Sequence, residues 1–434
     1  MNREERQNYY VALLHQETAL ALGCTEPAAA ALASAYAAKV LGEPVCEAEI
    51  LVSQYILKNA MNVGIPGTGM SGLAIAAAMG LVNAMPEKEL MILSGICEEQ
   101  KHAAKKLVEE KKIGIGLYDT QEKIYIEVRA KSVSQTACAV LSGSHKNLTL
   151  LKKNGRILYE KEQAPGNETA ENKLEESYPV TLKDIVRFIK EVPLDKLDFL
   201  KEILRINEEI AAEGLHGDYG LEVGKNLLQG DKNGLIGVDT ANYAAAMTAA
   251  AADARMAGCE LPVMSAAGSG NQGLTATIPI AAVGEKLGIQ EEKILGAAAL
   301  SILLTVHTKH YLGRLSVLCG CSISAAMGVG CGILFMLDGT YEQMCQTVST
   351  MVADISGVVC DGAKPGCALK IATAVGSAVR AANMAINGIG AGDRDGIVCG
   401  DVEETLANLG VLGNRGMAEA NPMILQMMLQ KQNR

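Results

Sequence analysis

The sequence predicts a mostly α-helical protein, with a small α+β domain inserted into an Ala/Gly-rich helical body. Three observations support this fold class. Residues 2–100 are rich in Ala and show helical spacing between Gly and Pro breaks. Residues 113–159 instead contain short β-prone runs separated by turn residues. From Thr240 onward the chain consists largely of Ala, Gly, Ile, Leu, Met and Ser with few charges, which is typical of helices that pack on all sides.

These differences in composition divide the chain into a helical body, made of two separate stretches of sequence, and an insert between them. Small residues allow helix backbones to approach closely, so we expect residues 1–100 and 180–434 to form one helical body. Residues 101–179 then form the inserted α+β domain with its linker, and the polar stretch 161–178 is the linker itself.

Individual elements follow from the same periodicities. Helices are predicted at Glu4–Leu22, Pro27–Leu41, Ser71–Met85, Glu87–Glu110, Leu182–Ile189 and Leu197–Gly214. Strands are predicted at Ile113–Tyr118, Lys123–Arg129, Thr136–Leu141 and Leu148–Leu151.

Charge and cysteine content restrict the class of protein. The formal net charge of −10 and the lack of a long basic cluster argue against nucleic acid or an anionic membrane as partner, and favour a small molecule. The charged start of the chain and its 12 cysteines predict a cytoplasmic location, where thiols stay reduced and serve as core, ligand or catalyst. Leu315–Leu337 carries no charge, but its many small residues favour a buried helix over a membrane span.

The segment Gly23-Cys24-Thr25-Glu26-Pro27 precedes a helical run. Pro suits the first turn of a helix, so Cys24 should lie at the helix N-terminus, where a thiolate is favoured. The helix dipole contributes only about 0.3–1 kcal/mol, which is too little to ionise a thiol at neutral pH. Cys24 is therefore either a buried core thiol or a reactive thiol that needs a metal or a cation beside it.

Four further cysteines lie on Gly-rich backbone. Cys360 and Cys367 bracket the turn 361–366, with Cys367 at the start of a predicted helix Ala368–Asn387, and Cys319 or Cys321 lies at the edge of an Ala/Gly-rich helix. Six residues separate Cys360 from Cys367, whereas local zinc ligands are usually two to four residues apart, so the spacing fits an iron–sulfur cluster better than zinc. Residues two apart on a helix point to different faces, so we expect only one of Cys319 and Cys321 to be a ligand. Buried core cysteines are the alternative interpretation.

Two Gly-rich turns and one polar helix complete the candidate residues. The turns 64–69 and 268–273 can grip a carboxylate through backbone amides, although tight helix packing explains them equally well. The second turn matches a dinucleotide-binding pattern, but no βαβ context surrounds it. His307 and His310 form a possible metal pair or belong to a substrate pocket, and Arg314 follows closely.

Three segments together resemble the L-cysteine desulfidase family, which is related to the α domain of iron–sulfur L-serine dehydratases. They are residues 23–27, the run Arg314-Leu-Ser-Val-Leu-Cys-Gly-Cys321, and Cys360-Asp-Gly-Ala-Lys-Pro-Gly-Cys-Ala-Leu-Lys370. The similarity covers the helical body to about residue 400. The Gly-Pro-Ser-Ser-Ser-His-Thr type motif of the serine branch is missing from this sequence, which favours cysteine over serine as substrate.

The resemblance implies a catalytic helical body with a [4Fe-4S] cluster and without pyridoxal phosphate. Cys319 (or Cys321), Cys360 and Cys367 are the implied ligands, and Cys24 caps the fourth iron or acts as the base. The implied reaction is β-elimination of L-cysteine to hydrogen sulfide, pyruvate and ammonia, with Lys58 and His307 as further catalytic candidates. We expect the substrate carboxylate to meet Ser269, Gly270 and Asn271, together with Lys58, Asn59 or Arg314.

Other interpretations of the sequence lead to different proteins. A dehydratase-type lyase acting on L-serine or a related amino acid would use the same residues, and a non-catalytic relative would only bind an amino acid. A redox sensor built on Cys319 and Cys321 is disfavoured, because thiols two apart on a helix form strained disulfides. Exposed faces of the Ala-rich helices make a homodimer plausible.

Overall fold

Helices dominate the structure and a small mixed sheet accompanies them, so the predicted fold class is confirmed. The structure is a computed structural model that describes residues 2–161, 180–229, 235–313 and 315–432. Nearly all of the predicted linker 161–178, and the candidate residue Arg314, lie outside the described residues.

The first hundred residues form five helices and two strands within the described part of the chain. They are α1 (Arg3–Glu17), β1 (Thr18–Ala21), α2 (Thr25–Leu41), β2 (Glu47–Val52), α3 (Gln54–Ala60), α4 (Leu73–Asn83) and the start of α5 (Glu98–Glu109). The predicted helix Glu87–Glu110 is wrong in its first half. Glu89 and Gly95 both adopt positive φ there, at 48° and 60°, which an α-helix does not tolerate, so only a short 3₁₀ turn precedes α5.

The insert contributes most of a six-stranded sheet. Its strands are β3 (Ile113–Leu117), β4 (Tyr125–Lys131), β5 (Thr136–Ser142), β6 (Leu148–Lys153) and β7 (Arg156–Glu160), in the order β3-β2-β4-β5-β6-β7. β2 and β3 are parallel and the other pairs are antiparallel. The sheet therefore includes β2, a strand from before residue 101 that the sequence analysis did not predict. The division of the chain at residue 100 remains a prediction.

One face of this sheet packs on α2. Ile50, Ile126 and Val128 alternate inward and share a buried cluster with the Ala-rich helix. α2 also crosses α4 very closely, because a Cβ on Gly80 would lie 2.0 Å from the carbonyl oxygen of Ala31. Glycine is required at this crossing, and the small residues of both helices allow it.

The rest of the chain forms the larger helical layer. Its elements are α6 (Leu182–Glu191), α7 (Leu200–His216), α8 (Val223–Leu228), α9 (Thr240–Met256), β8 (Val263–Ala266), α10 (Gly270–Leu287), α11 (Glu291–Leu312), α12 (Ala326–Met336), α13 (Tyr341–Ile355), α14 (Cys367–Ile386), α15 (Val402–Val411) and α16 (Ala420–Gln432). α9 packs against α7, α10 and α14, and α12 packs against α10, α11 and α14.

The uncharged segment Leu315–Leu337 is not one long helix. It begins with irregular backbone, continues through a π-helical turn at Cys321–Ala325 and ends in α12, whose residues are almost all buried. Within the described residues, no helix has both the length and the apolar character that crossing a membrane requires.

Candidate functional site

Two short backbone segments bring Cys319 and Cys360 together. Leu318 and Val359 form an isolated antiparallel bridge. The backbone amide of Cys319 donates to the carbonyl of Val358 at 2.9 Å, and the amide of Cys360 donates to the carbonyl of Val317 at 2.6 Å. Main-chain hydrogen bonds therefore fix the relative positions of these two cysteines.

Cys319 and Cys321 form a close thiol pair. Their sulfur atoms are 3.4 Å apart, and the hydroxyl of Ser322 donates to the sulfur of Cys319 at 3.3 Å. The expectation that these side chains diverge is wrong, because Cys319 precedes the helical turn instead of lying on it. Hydrogen bonds from Cys321 and Ser322 lower the pKa of Cys319, while the same bond and burial raise the pKa of Cys321. The two shifts have opposite directions, so Cys319 is the member of the pair whose thiolate is favoured.

Cys367 begins α14, as predicted, and follows a turn that is fitted tightly onto α3. Its sulfur lies 3.7 Å from the carbonyl oxygen of Gly362. Gly362 has φ of +90°, and a Cβ there would lie 2.3 Å from the carbonyl oxygen of Lys58. The amide of Ala363 also donates to the carbonyl of Asn59 at 3.3 Å. Only glycine combines this dihedral angle with this close contact.

The thiols influence each other electrostatically. Burial raises the pKa of Cys367 to about 12, and the charges of Cys319 and Cys360 add to the effect. Burial also raises the pKa of Cys360, against the opposing charge of Lys58. These shifts agree with the backbone bridge, which brings the segment of Cys319 next to the segment that carries Cys360 and Cys367.

Thiols are the potential metal ligands of this site. Among the described residues, no three His, Cys, Asp or Glu side chains are close enough together to hold one metal ion. In an iron–sulfur cluster each thiolate binds a different iron, so its ligands stand further apart than those of one ion. Cys319 or Cys321, Cys360 and Cys367 therefore offer the soft sulfur ligands that such a cluster takes.

Cys24 lies at the N-terminus of α2, as predicted, where it is the N-cap residue. It belongs to a buried apolar cluster against which Cys367 packs. Burial raises the pKa of Cys24 to about 11, although the guanidinium of Arg255 works in the opposite direction. Arg255 also donates to the carbonyl of Gly23 at 2.7 Å and to Asn271 Oδ1 at 2.9 Å, so it ties this helix end to the turn before α10.

Lys58 and Asn59 support the thiols from α3. Lys58 is 1% exposed, and its ammonium donates to the carbonyl of Cys360 at 2.9 Å. Burial lowers the pKa of Lys58, while the negative charges of Cys360 and Glu26 partly restore it. Asn59 donates to the carboxylate of Glu26 at 2.9 Å, and its own Oδ1 lies 4.0 Å from the sulfur of Cys360. Both residues therefore contact the group of thiols directly or through its backbone.

The turn at 268–273 is a close-packing feature. A Cβ on Gly270 would lie 2.5 Å from the guanidinium of Arg255, and one on Gly273 would lie 1.9 Å from the carbonyl of Met264. Asn271 is buried and bonded to Arg255, and Ser269 is the residue before the first turn of α10. The preceding strand β8 pairs antiparallel with β1, so the described residues offer no βαβ unit for a dinucleotide here.

His307 lies in a different polar group. Its Nε2 is 2.6 Å from Glu403 Oε2, which also accepts a hydrogen bond from the hydroxyl of Tyr311 at 3.0 Å. The other carboxylate oxygen of Glu403 accepts from the amide of Leu182 at 2.8 Å. Burial raises the pKa of Glu403, but the hydrogen bonds from His307, Leu182 and Tyr311 and the charge of His307 together outweigh it and lower the pKa. The structure therefore places His307 against Glu403, and its catalytic role stays a prediction.

Lys309, two residues further along α11, faces the thiols instead. Its side chain is 7% exposed, and a Cβ on Gly320, between Cys319 and Cys321, would lie 3.5 Å from its Cδ. Burial lowers the pKa of Lys309 to about 8, against the charges of Cys360, Cys319 and Cys321. A lysine in this state is partly neutral near physiological pH and can accept a proton.

A charged rim lies beside the buried thiols. Asp361 forms ion pairs with Lys364 and Lys370, all three of them partly exposed, and Lys370 also donates to the carbonyl of Val359 at 2.7 Å. Burial would raise the pKa of Asp361, but hydrogen bonds from the two lysines lower it to about 2. The turn that carries Cys360 and Cys367 is thus the polar side of the site.

Comparison with known proteins identifies the family. The sequence profile described as serine dehydratase alpha chain matches residues 87–426. The chain belongs to the serine dehydratase alpha chain family. It is 42% identical to a UPF0597 protein of Oleidesulfovibrio alaskensis over 422 residues, which cover 97% of this chain and 98% of that protein. A UPF0597 protein of Clostridium perfringens is 41% identical, with 97% of this chain and 98% of that protein covered.

Membership of the serine dehydratase alpha chain family confirms the coarser part of the predicted resemblance. The finer resemblance to L-cysteine desulfidases stays a prediction. The profile match includes Lys309 and the four cysteines at 319, 321, 360 and 367, whereas Cys24, Lys58 and Asn59 precede it. Those three are nevertheless close to the thiols or to their supporting backbone.

Lys309 and Glu26 are the residues that sequence reasoning missed. Lys309 lies in the most polar stretch of an apolar helix, from which the sequence analysis selected only the neighbouring histidines. Residues two apart on a helix lie on different faces, so the sequence indicates that His307 and Lys309 do not face the same site. Glu26 is a buried carboxylate within the Gly-Cys-Thr-Glu-Pro segment, and its burial marks it as part of the site.

Proposed function

We propose that this protein is an iron–sulfur-dependent carbon–sulfur lyase that converts L-cysteine to hydrogen sulfide, pyruvate and ammonia by β-elimination. The observation that carries the proposal is a set of four thiols from two segments: Cys319 and Cys321 have sulfur atoms 3.4 Å apart, and the bridge between Leu318 and Val359 joins them to the segment that carries Cys360 and Cys367. Membership of the serine dehydratase alpha chain family supports an elimination from a β-substituted amino acid.

Cys360, Cys367 and one of Cys319 and Cys321 would hold the [4Fe-4S] cluster. When bound, an iron with an open coordination position supplies a Lewis acid for the departing group. Lys58 and Asn59 hold the Cys360 segment in place, and the positive charge of Lys58 favours the thiolate of Cys360. Cys24 is a candidate for a resting-state cap or for the base, and both roles need its thiolate, which burial disfavours by raising its pKa to about 11.

Lys309 is the general base that fits the site best. Its side chain packs beside Gly320, and its amine is partly neutral because it is buried. In this role it takes the proton from Cα of the substrate, the bond between Cβ and sulfur breaks, and hydrosulfide leaves. The resulting aminoacrylate tautomerises to an imine, which water hydrolyses to pyruvate and ammonia. The reaction needs no pyridoxal phosphate.

L-Serine is the alternative substrate, and the family name favours it. The sequence favours cysteine, because it has no run of the Gly-Pro-Ser-Ser-Ser-His-Thr type. Sulfide and pyruvate release from L-cysteine, measured under anaerobic conditions beside pyruvate release from L-serine, decides between them. Turnover of serine alone would make the protein a dehydratase, and binding without turnover of either amino acid would leave it a non-catalytic relative.

Two cysteine variants test the ligand assignment. Cys360→Ser should lose iron and the broad iron–sulfide absorbance while its circular dichroism stays unchanged, because Cys360 is a partly exposed residue near the site and not a core residue. Cys97→Ser is the matched control, since Cys97 is exposed at the start of α5, and this variant should load iron normally. Full iron content in Cys360→Ser would refute the assignment.

A further inference from the structure

The outer edge of β7 is an uncovered strand edge. β7 pairs with β6 on one side, and no strand among the described residues pairs with its other side. All five residues of β7 are exposed, including Ile157 at 48%, Leu158 at 51% and Tyr159 at 44%. Three consecutive exposed apolar residues on an unpaired edge invite pairing with another strand.

In the pairing of β6 with β7, one residue of the edge strand β7 has no partner. Leu151 is opposite Tyr159 and Lys152 is opposite Ile157, so Leu158 has no partner on β6. The opposite edge of the sheet differs, because Ile113 of β3 packs into the core and α4 lies against the strand.

The sequence of β7 is complementary to itself in one orientation. It reads Arg156-Ile-Leu-Tyr-Glu160, with opposite charges at its two ends. In an antiparallel pair centred on Leu158, each Arg156 faces Glu160 of the second copy and each Ile157 faces Tyr159. A parallel pair would instead place Arg opposite Arg and Glu opposite Glu, which is unfavourable.

We propose that β7 pairs antiparallel with β7 of a second copy of this chain, so that the two six-stranded sheets join into one sheet across a twofold axis at Leu158. The interface is isologous and therefore closes as a dimer, whereas pairing of β7 with β3 of another copy would build open chains. Five residues bury less surface than a standard interface, so the dimer forms in the micromolar range.

Charge reversal tests the register. Arg156→Glu and Glu160→Arg should each raise the dimer dissociation constant at least about tenfold in sedimentation equilibrium, because two attractive pairs become repulsive. The double variant Arg156→Glu, Glu160→Arg restores both pairs and the net charge, so it should return to within about threefold of the original dissociation constant.

Crosslinking tests the position of the axis. Leu158→Cys should form a disulfide-linked dimer under mild oxidation, because opposed residues in an antiparallel pair have Cα atoms about 4.5–5.5 Å apart. Val133→Cys is the control, since Val133 is 93% exposed in the turn between β4 and β5, outside the proposed interface strand, and should not crosslink. A protein that remains monomeric at about 100 µM overturns the proposal. A dimer that neither crosslinks through residue 158 nor responds to charge reversal overturns it equally, because its interface then lies elsewhere.

Discussion

The turn between Cys360 and Cys367 depends on glycine at position 362, so Gly362→Ala should disturb the site selectively. Gly362 has φ of +90°, and the new methyl group would lie 2.3 Å from the carbonyl oxygen of Lys58. A side chain at such a dihedral angle costs about 1–3 kcal/mol, and overpacking against a backbone atom costs a similar amount. After relaxation we expect a loss of about 2–4 kcal/mol in the free energy of unfolding.

Relaxation should also move the turn away from α3. That movement breaks the hydrogen bond from Ala363 to Asn59, which is 3.3 Å long, and shifts both flanking cysteines. Urea denaturation measures the stability, and iron content after anaerobic reconstitution measures the site. Gly366→Ala is the matched control in the same turn, because Gly366 has φ of −62° and a Cβ there would meet only the side chain of Lys364 at 3.4 Å. The reasoning is refuted if Gly362→Ala matches Gly366→Ala within about 0.5 kcal/mol and loads iron equally well.

Three further predictions concern α11 and its contact with Glu403. Lys309→Met should reduce turnover at least about 10²-fold while iron content stays the same, because only the proton acceptor is removed. In the unchanged protein, activity should rise with pH through about 8 and then level off, since the amine of Lys309 accepts a proton only when neutral; an activity that falls over this range would exclude Lys309 as the base. Glu403→Gln should cost about 1–3 kcal/mol of stability through its buried bond to His307, while kcat of the folded fraction stays within about twofold. Loss of kcat with unchanged stability would instead return His307 to the catalytic residues.

Local sequence signals predicted the helix ends of the site well. Pro27 placed Cys24 at the start of α2, and the turn 361–366 placed Cys367 at the start of α14. Both predictions rest on interactions within one helical turn, so the sequence contains all the information that they need.

Long-range contacts could not be predicted in the same way. The bridge between Leu318 and Val359 joins two segments too short to show any periodicity, so its existence is fixed only by the packing of the surrounding helices. β2 was missed because its partners β3 and β4 come more than fifty residues later in the chain. A strand of six residues is recognised mainly through its neighbours in the sheet.

The sequence also does not determine which face of α11 lies against the thiols. Its residues from Leu295 to Lys309 are buried on every side, so no apolar stripe distinguishes the face that carries His307 from the face that carries Lys309. Only the positions of Gly320 and Glu403, both distant in the chain, decide which side chain meets the thiols.

The backbone bridge that joins Cys319 to Cys360 has a consequence for how long the protein lasts in a cell. Many small metal domains unfold when the metal leaves, because their ligands are held together by nothing else. Here hydrogen bonds of the main chain, 2.6 and 2.9 Å long, fix the backbone of both cysteines. If the protein holds the proposed cluster, loss of that cluster would leave this backbone arrangement intact, and iron and sulfide could rebuild the centre in the same chain.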